Sequence, residues 1–192
     1  MEISLIALIS YLLGSIPFGF LLTKIFLKKD IRKIGSGNIG ATNVLRTGNK
    51  IIGYSTLILD ILKAVIPILV VKINFPEFIF ISSLSVFLGH VFPIWLKFNG
   101  GKGVATYVGI LFCINYILGL CFIISWAVVF LISKYSSLSS LLASLLIPIY
   151  HYLFIDAENY YFFTIMFILI FYTHKENIKR LKNNTESKTK IY

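Results

Sequence analysis

Long apolar runs separated by short polar breaks dominate this chain, and the spacing of the breaks predicts a set of membrane helices. A spanning helix needs about 20 mainly apolar residues. Residues 3–26 supply the first, with Gly14, Ser15, Pro17 and Gly19 as a close-packing or kinking segment. Residues 51–72 and 76–96 supply the second and third. Val104 to Ser133 then runs without a charge. As one helix it would be about 45 Å long, too long for one ordinary span and too short for two full ones with a turn. Residues 138–155 and 160–173 complete the set, the last of them short.

Charge decides how the long run is counted. Of the 18 Lys and Arg residues, 16 fall in four groups: Lys24 to Lys50, Lys97 with Lys102, Lys134, and Lys175 to Lys190. Cytoplasmic loops carry the excess of basic residues, so all four groups belong on the inner side. That requires residues 104–133 to go out and come back: a short helix at about 104–114, a turn near Asn115-Tyr116, and a fuller helix at about 117–133. The expectation is an all-α polytopic membrane protein, a single integral membrane domain over residues 1–192. It has seven segments, one a half-helix, with the N-terminus out and the C-terminus in. Glu2, Glu77, Asp156 and Glu158 then face outward.

Composition agrees. At 57% hydrophobic and 14% charged, with a mean hydropathy of +0.86, a soluble domain of 192 residues could not hide its apolar surface. The net charge of +10 could signal nucleic acid, but the basic residues lie between apolar runs and not along one polar face, so topology explains them. Cys113 and Cys121 sit inside apolar stretches and read as small hydrophobes. The N-terminal run is too long for the apolar core of a signal peptide and begins with Glu2, so it is expected to stay as a helix.

Against this background the polar stretches stand out. Gly35 to Lys50 reads GSGNIGATNVLRTGNK, a glycine-rich loop whose N–H groups could turn inward as a nest for an anion. Ser36, Thr42 and Asn43 add short donors, and Arg46 adds a fork shaped for phosphate or carboxylate. Gly35-Ser36-Gly37-Asn38-Ile39-Gly40 also fits the dinucleotide fingerprint, with Asp60 at a suitable distance. That reading needs a βαβ unit, and apolar helices flank the loop instead. Lys97 to Thr106 reads KFNGGKGVAT, which places Gly100, Gly101, Lys102 and Gly103 before a helix N-terminus. His90 lies inside the third span, where it is either an interhelical donor or functional. Asp60 and Lys63 are three apart on the second helix and are expected to form a structural ion pair. His174 and Asn177 share that spacing in HKENIKRL, a segment that also suits a basic juxtamembrane anchor. Ser137 and Ser140 follow Lys134 as helix-capping hydroxyls or as hydrogen-bond donors to a phosphate. His151 and Asp156 imitate an HxxxxD acyltransferase pair, but the charge pattern puts them at the outer end of their helix.

GSGNIGATNVLRTGNK, GHVFPIWLKFNGGKGVAT and HKENIKRL, in this order, resemble the three signature motifs of the bacterial acyl-phosphate:glycerol-3-phosphate acyltransferase family. YLLGSIPFG at 11–19 is similar to that family's first helix. The resemblance covers nearly the whole chain. It implies transfer of a fatty acyl group from acyl phosphate to the sn-1 hydroxyl of glycerol 3-phosphate, giving lysophosphatidic acid and phosphate at the inner bacterial membrane. It also implies that Ser36, Arg46, His174 and Asn177 serve catalysis. Substrate binding is expected from Gly37, Asn38, Gly40, Thr42, Asn43, His90, Gly100, Gly101, Lys102, Gly103, Ser137 and Ser140. No cofactor, metal or nucleic acid is expected; the partners are the two substrates and membrane lipid. One departure is Lys134, where the family usually has Arg.

The residues read on their own allow the same chemistry. Acyl phosphate is already activated, so no covalent enzyme intermediate is required, and no Ser-His-Asp or Cys-His set lies near the loops. The proton acceptor stays open among His174, His90 and a phosphate oxygen of the substrate, with the substrate favoured. The competing class is a carrier for phosphorylated solutes. Against it, the chain has no internal repeat and no polar outer path. Proteoliposome uptake against lysolipid formation separates the two.

Overall fold

A membrane helix that breaks must satisfy the backbone groups it frees, and the first run does so. In the computed structural model, which describes residues 1–155 and 157–189, α1 (Glu2–Gly14) ends at Ser15 and α2 (Phe18–Phe26) begins after Pro17. Ser15 donates its hydroxyl to the Tyr11 carbonyl at 2.8 Å. The Ile16 carbonyl, freed by the break, accepts from the Lys63 ammonium at 2.8 Å. Asp156 and Lys190, part of the charge argument above, lie outside the described residues.

The chain forms two compact units, Met1–Ile114 and Asn115–Tyr192. In the first, α3 (Ala41–Leu45) is a single short turn within the glycine-rich loop. It is followed by α4 (Lys50–Asn74), α5 (Ile79–Val91) and α6 (Val104–Ile114). α1 packs on α5 through small residues on both sides. A Cβ on Gly14 would lie 2.2 Å from the Val86 carbonyl oxygen, and one on Gly89 would lie 2.2 Å from that of Tyr11. Ser10 and Ser82 share a hydrogen bond of 2.9 Å across the same seam. Gly89→Ala is therefore expected to cost about 1–3 kcal/mol of stability, because backbone and not a flexible side chain must yield. Thermal unfolding in detergent measures it, and an unchanged midpoint would show that the seam is looser than described.

α6 is 11 residues, about 16 Å of helix, half of a bilayer core. Its C-terminal carbonyl at Cys113 accepts from Lys72 at 2.6 Å, a cation on the negative end of the helix. Asn115 then caps the second unit's α7 (Tyr116–Ser133) by accepting from the Ile117 N–H at 2.9 Å. The expected break of the uncharged run falls at that residue. Lys134 turns the chain in the left-handed conformation, φ 63°, into α8 (Ser136–Phe154). α9 (Tyr160–Thr173) and α10 (Lys175–Lys182) follow.

Burial is inverted relative to a soluble protein. Ser10, Thr23, Thr56, Asp60, Lys63 and Ser82 are buried, whereas Ile58, Ile66, Ile124 and Ile132 are exposed. Among the described residues four segments are long and apolar enough to span a membrane: Glu2–Phe26, Pro76–Leu96, Tyr116–Ser133 and Ser136–Phe154. Val104–Ile114 and Tyr160–Thr173 are shorter apolar helices. The protein is an all-helical integral membrane protein.

Candidate active site

The glycine-rich loop is built around one asparagine. Asn43 is 3% exposed, and its amide nitrogen donates to the carbonyls of Asn38 at 2.8 Å, Ile34 at 2.9 Å and Ile31 at 3.3 Å. Its Oδ1 accepts from the Ser36 N–H at 3.0 Å. Ile31, Ile39 and Val44 anchor the loop in a core with Ile52 and Leu96. Asp30 caps the turn at its entry and grips Arg32 through both oxygens, at 2.9 and 2.7 Å. That guanidinium, with smaller help from Lys33, holds the Asp30 carboxyl down at about 2.

This arrangement corrects one expectation, that of an open nest. The N–H groups of Ser36, Gly37 and Gly40 do not form an open nest. They are used by Asn43 Oδ1, the Ile34 carbonyl and Asn38 Oδ1 respectively. Asn43 and Asn38 accordingly shape the loop. What the loop presents outward is side chains: Ser36, Thr42 and Arg46 are exposed. Gly35 (φ 56°) lets Arg46 fold back over the loop, since a Cβ there would meet Asn43 Oδ1 at 2.3 Å and Arg46 Cδ at 3.1 Å. The Arg46 guanidinium is thereby brought beside the residue that precedes Ser36.

The second glycine loop hangs from the end of α5. Gly100 and Gly101 donate to the carbonyls of Val91 and His90 at 3.1 and 3.0 Å, so these two N–H groups are also taken. The anion-binding capacity of the stretch rests instead on Lys102, which is half-buried, and on the first-turn N–H groups of α6. His90 is 3% exposed and its ring fills the space where a side chain on Gly101 would go. It therefore backs the loop and does not present a nitrogen to solvent. Asp60 and Lys63 form the expected ion pair, 2.9 Å apart and buried.

In the second unit, Ser137, Asn177 and Arg180 converge on a residue that the sequence reading missed. The Glu186 carboxylate accepts from Ser137 Oγ at 2.7 Å, Asn177 Nδ2 at 2.6 Å and Arg180 Nε at 2.6 Å. The one available signal was a single acid between Lys182 and Lys188. Burial pushes this carboxyl up, but Arg180, Asn177 and Ser137 outweigh it and hold it below its ordinary value. Ser140 donates to the Ser136 carbonyl and accepts from the Trp126 indole, so it ties α7 to α8. His174, 2% exposed, sits at the α9–α10 junction with Nδ1 2.8 Å from the Ile170 carbonyl, which can only accept. Nδ1 therefore carries the proton when the ring is neutral.

The Glu186 cluster makes a pH-dependent prediction. A depressed folded-state pKa means that its stabilisation is complete above the ordinary value of 4.5 and is lost as pH falls through the lower folded value. Glu186→Gln, which resembles the protonated acid, should lower the unfolding midpoint at pH 7. The deficit should shrink towards zero in acid below pH 4.5. A deficit independent of pH would mean that the charge is not what holds the cluster.

The two glycine-built loops carry Arg46, Lys102 and the short donors Ser36 and Thr42, side chains whose chemistry suits an anion. The glycerol-3-phosphate acyltransferase family model matches residues 4–184, and the chain belongs to that family. It is 75% identical over its full length to the full-length glycerol-3-phosphate acyltransferase of Pelagibacter ubique. With that of Bartonella henselae it shares 50% identity, covering 96% of this chain and 90% of the relative. The crystal structure of PlsY (YgiH), an integral membrane glycerol 3-phosphate acyltransferase, in its glycerol 3-phosphate form is similar to it. That match has a TM-score of 0.91 and 35% identity, over 98% of this chain and 96% of the other. The lysophosphatidic acid form of the same protein matches with a TM-score of 0.89 and 34% identity, over 98% and 95% of the two chains.

Proposed function

We propose that this protein transfers a fatty acyl group from acyl phosphate to the sn-1 hydroxyl of glycerol 3-phosphate. The products are 1-acylglycerol 3-phosphate and inorganic phosphate. The observation that carries the reading is Arg46 folded over Gly35 beside Ser36, on a loop in which the N–H groups of Ser36, Gly37 and Gly40 are already used. Such a loop carries a guanidinium and a hydroxyl on its exposed side, both suited to an anion. The similar structure of PlsY (YgiH), in its glycerol 3-phosphate and lysophosphatidic acid forms, supports the acceptor and the product.

In the reaction, the sn-1 oxygen attacks the acyl carbonyl carbon, the bond from that carbon to the phosphate oxygen breaks, and phosphate leaves with the electron pair. The hydroxyl proton goes to a phosphate oxygen, and no acyl-enzyme forms. Ser36 and Arg46 stabilise the acyl phosphate and the developing oxyanion, while Lys102 and the α6 N-terminus hold the phosphate of the acceptor. His174 and Asn177 take their roles from the family resemblance. The basic groups and the half-length α6 support seven segments, N-terminus out, with the glycine loops at the cytoplasmic face of the bacterial inner membrane.

The donor is tested with purified protein, glycerol 3-phosphate, and either palmitoyl phosphate or a palmitoyl thioester. Lysophosphatidate should form with the phosphate donor alone. Turnover confined to the thioester would overturn the donor assignment.

A further inference from the structure

A charged pair in the core of a membrane protein costs several kcal/mol per ion to desolvate, and hydrophobic replacements often do as well or better. The Asp60–Lys63 pair therefore calls for a reason, and its neighbours supply one. Asp60 Oδ1 faces His90 Nδ1 at 3.8 Å, and among the described residues that buried nitrogen has no hydrogen-bond partner. The other edge of the same ring lies against Gly101, where a Cβ would meet Nε2 at 2.0 Å. The His90 backbone carbonyl accepts the Gly101 N–H. On the far side of the glycine loop, Thr106 in the first turn of α6 donates to the Asp60 carbonyl at 3.4 Å. Asp60 thus touches both the residue that supports the Gly100–Gly103 loop and the helix that follows it. Lys63 neutralises Asp60 and fastens the pair to the Ile16 carbonyl at the break between α1 and α2.

We propose that Asp60, Lys63 and His90 form a positioning unit that sets the geometry of the Gly100–Gly103 loop for the phosphate of the polyol acceptor. The proposal rests on the acyl-transfer reading above. None of the three side chains touches substrate. The ion pair holds His90 in one orientation, the ring holds Gly101, and Thr106 keeps Lys102 and the α6 N-terminus in register with both.

The test replaces the pair by apolar residues together, Asp60→Leu with Lys63→Met, so that no lone charge is left buried. His90→Phe keeps a ring beneath Gly101 but removes its nitrogens. The proposal expects KM for glycerol 3-phosphate to rise about tenfold in each, with KM for acyl phosphate and the unfolding midpoint little changed. If the double variant does not fold, Thr106→Val decides, with about a threefold rise in the same KM alone expected. Unchanged KM values in the folded variants, or a rise in both KM values together with a loss of stability, would overturn the proposal and leave the cluster as interhelical glue. If wild-type protein makes no lysolipid, the acyl-transfer reading fails by itself. Equilibrium affinity for glycerol 3-phosphate, compared between wild type and variants, then decides the positioning role. Wild type that neither acylates nor binds glycerol 3-phosphate overturns both.

Discussion

Replacing Arg46 with alanine is expected to lower kcat/KM for lysophosphatidate formation by about 10²–10³, or about 2.7–4 kcal/mol of transition-state stabilisation. Arg46 is exposed at the end of α3, and the loop's shape comes from Asn43 and the buried Ile31, Ile39 and Val44. Removing the guanidinium should therefore leave insertion and folding intact, which size-exclusion profiles and thermal unfolding can show. Arg46→Lys separates charge from geometry. A lysine keeps the cation but loses the planar fork that matches two phosphate oxygens, so it should recover only part of the loss. Full activity in Arg46→Lys would mean that the site needs only a positive charge there.

Gly101→Ala is expected to raise KM for glycerol 3-phosphate by about tenfold or more while KM for acyl phosphate stays near its wild-type value. The added methyl would sit 2.0 Å from His90 Nε2 and 2.7 Å from Cε1. The ring is buried, and the Gly101 N–H is bonded to the carbonyl of that same histidine, so loop and ring cannot separate easily. The loop must shift, and Lys102 with it. Gly48→Ala provides the contrast. Gly48 has a φ of 86° but open space around it, so alanine there strains the backbone by about 1–2 kcal/mol without displacing anything. Its stability should fall slightly and both KM values should hold.

The sequence revealed the helices more fully than the hydrogen bonds. The charge pattern called for a turn in the uncharged run near Asn115-Tyr116, and the helices break there. Gly14, Ser15 and Pro17 marked the break of the first run for local reasons, a small residue and a missing N–H. Asp60 and Lys63 were readable as a pair because they lie one turn apart on one helix. His90 joins them from 27 residues beyond Lys63, and no local pattern reports that. The glycine loops illustrate the same limit. Their composition suggested free N–H groups, yet Asn43, Asn38 and the carbonyls of Ile34, His90 and Val91 use several of them. Glu186 went unread because it lies in a tail whose charge looked like lipid anchoring.

The most direct test of the central claim follows one turnover in purified wild-type protein, with palmitoyl phosphate as donor and radiolabelled glycerol 3-phosphate as acceptor. Rapid quenching should show lysophosphatidate and inorganic phosphate rising together in equal amounts, with no acyl group attached to protein at any time. A protein-bound acyl group that forms and decays fast enough to carry the flux, or an absence of labelled lysolipid, would contradict the account.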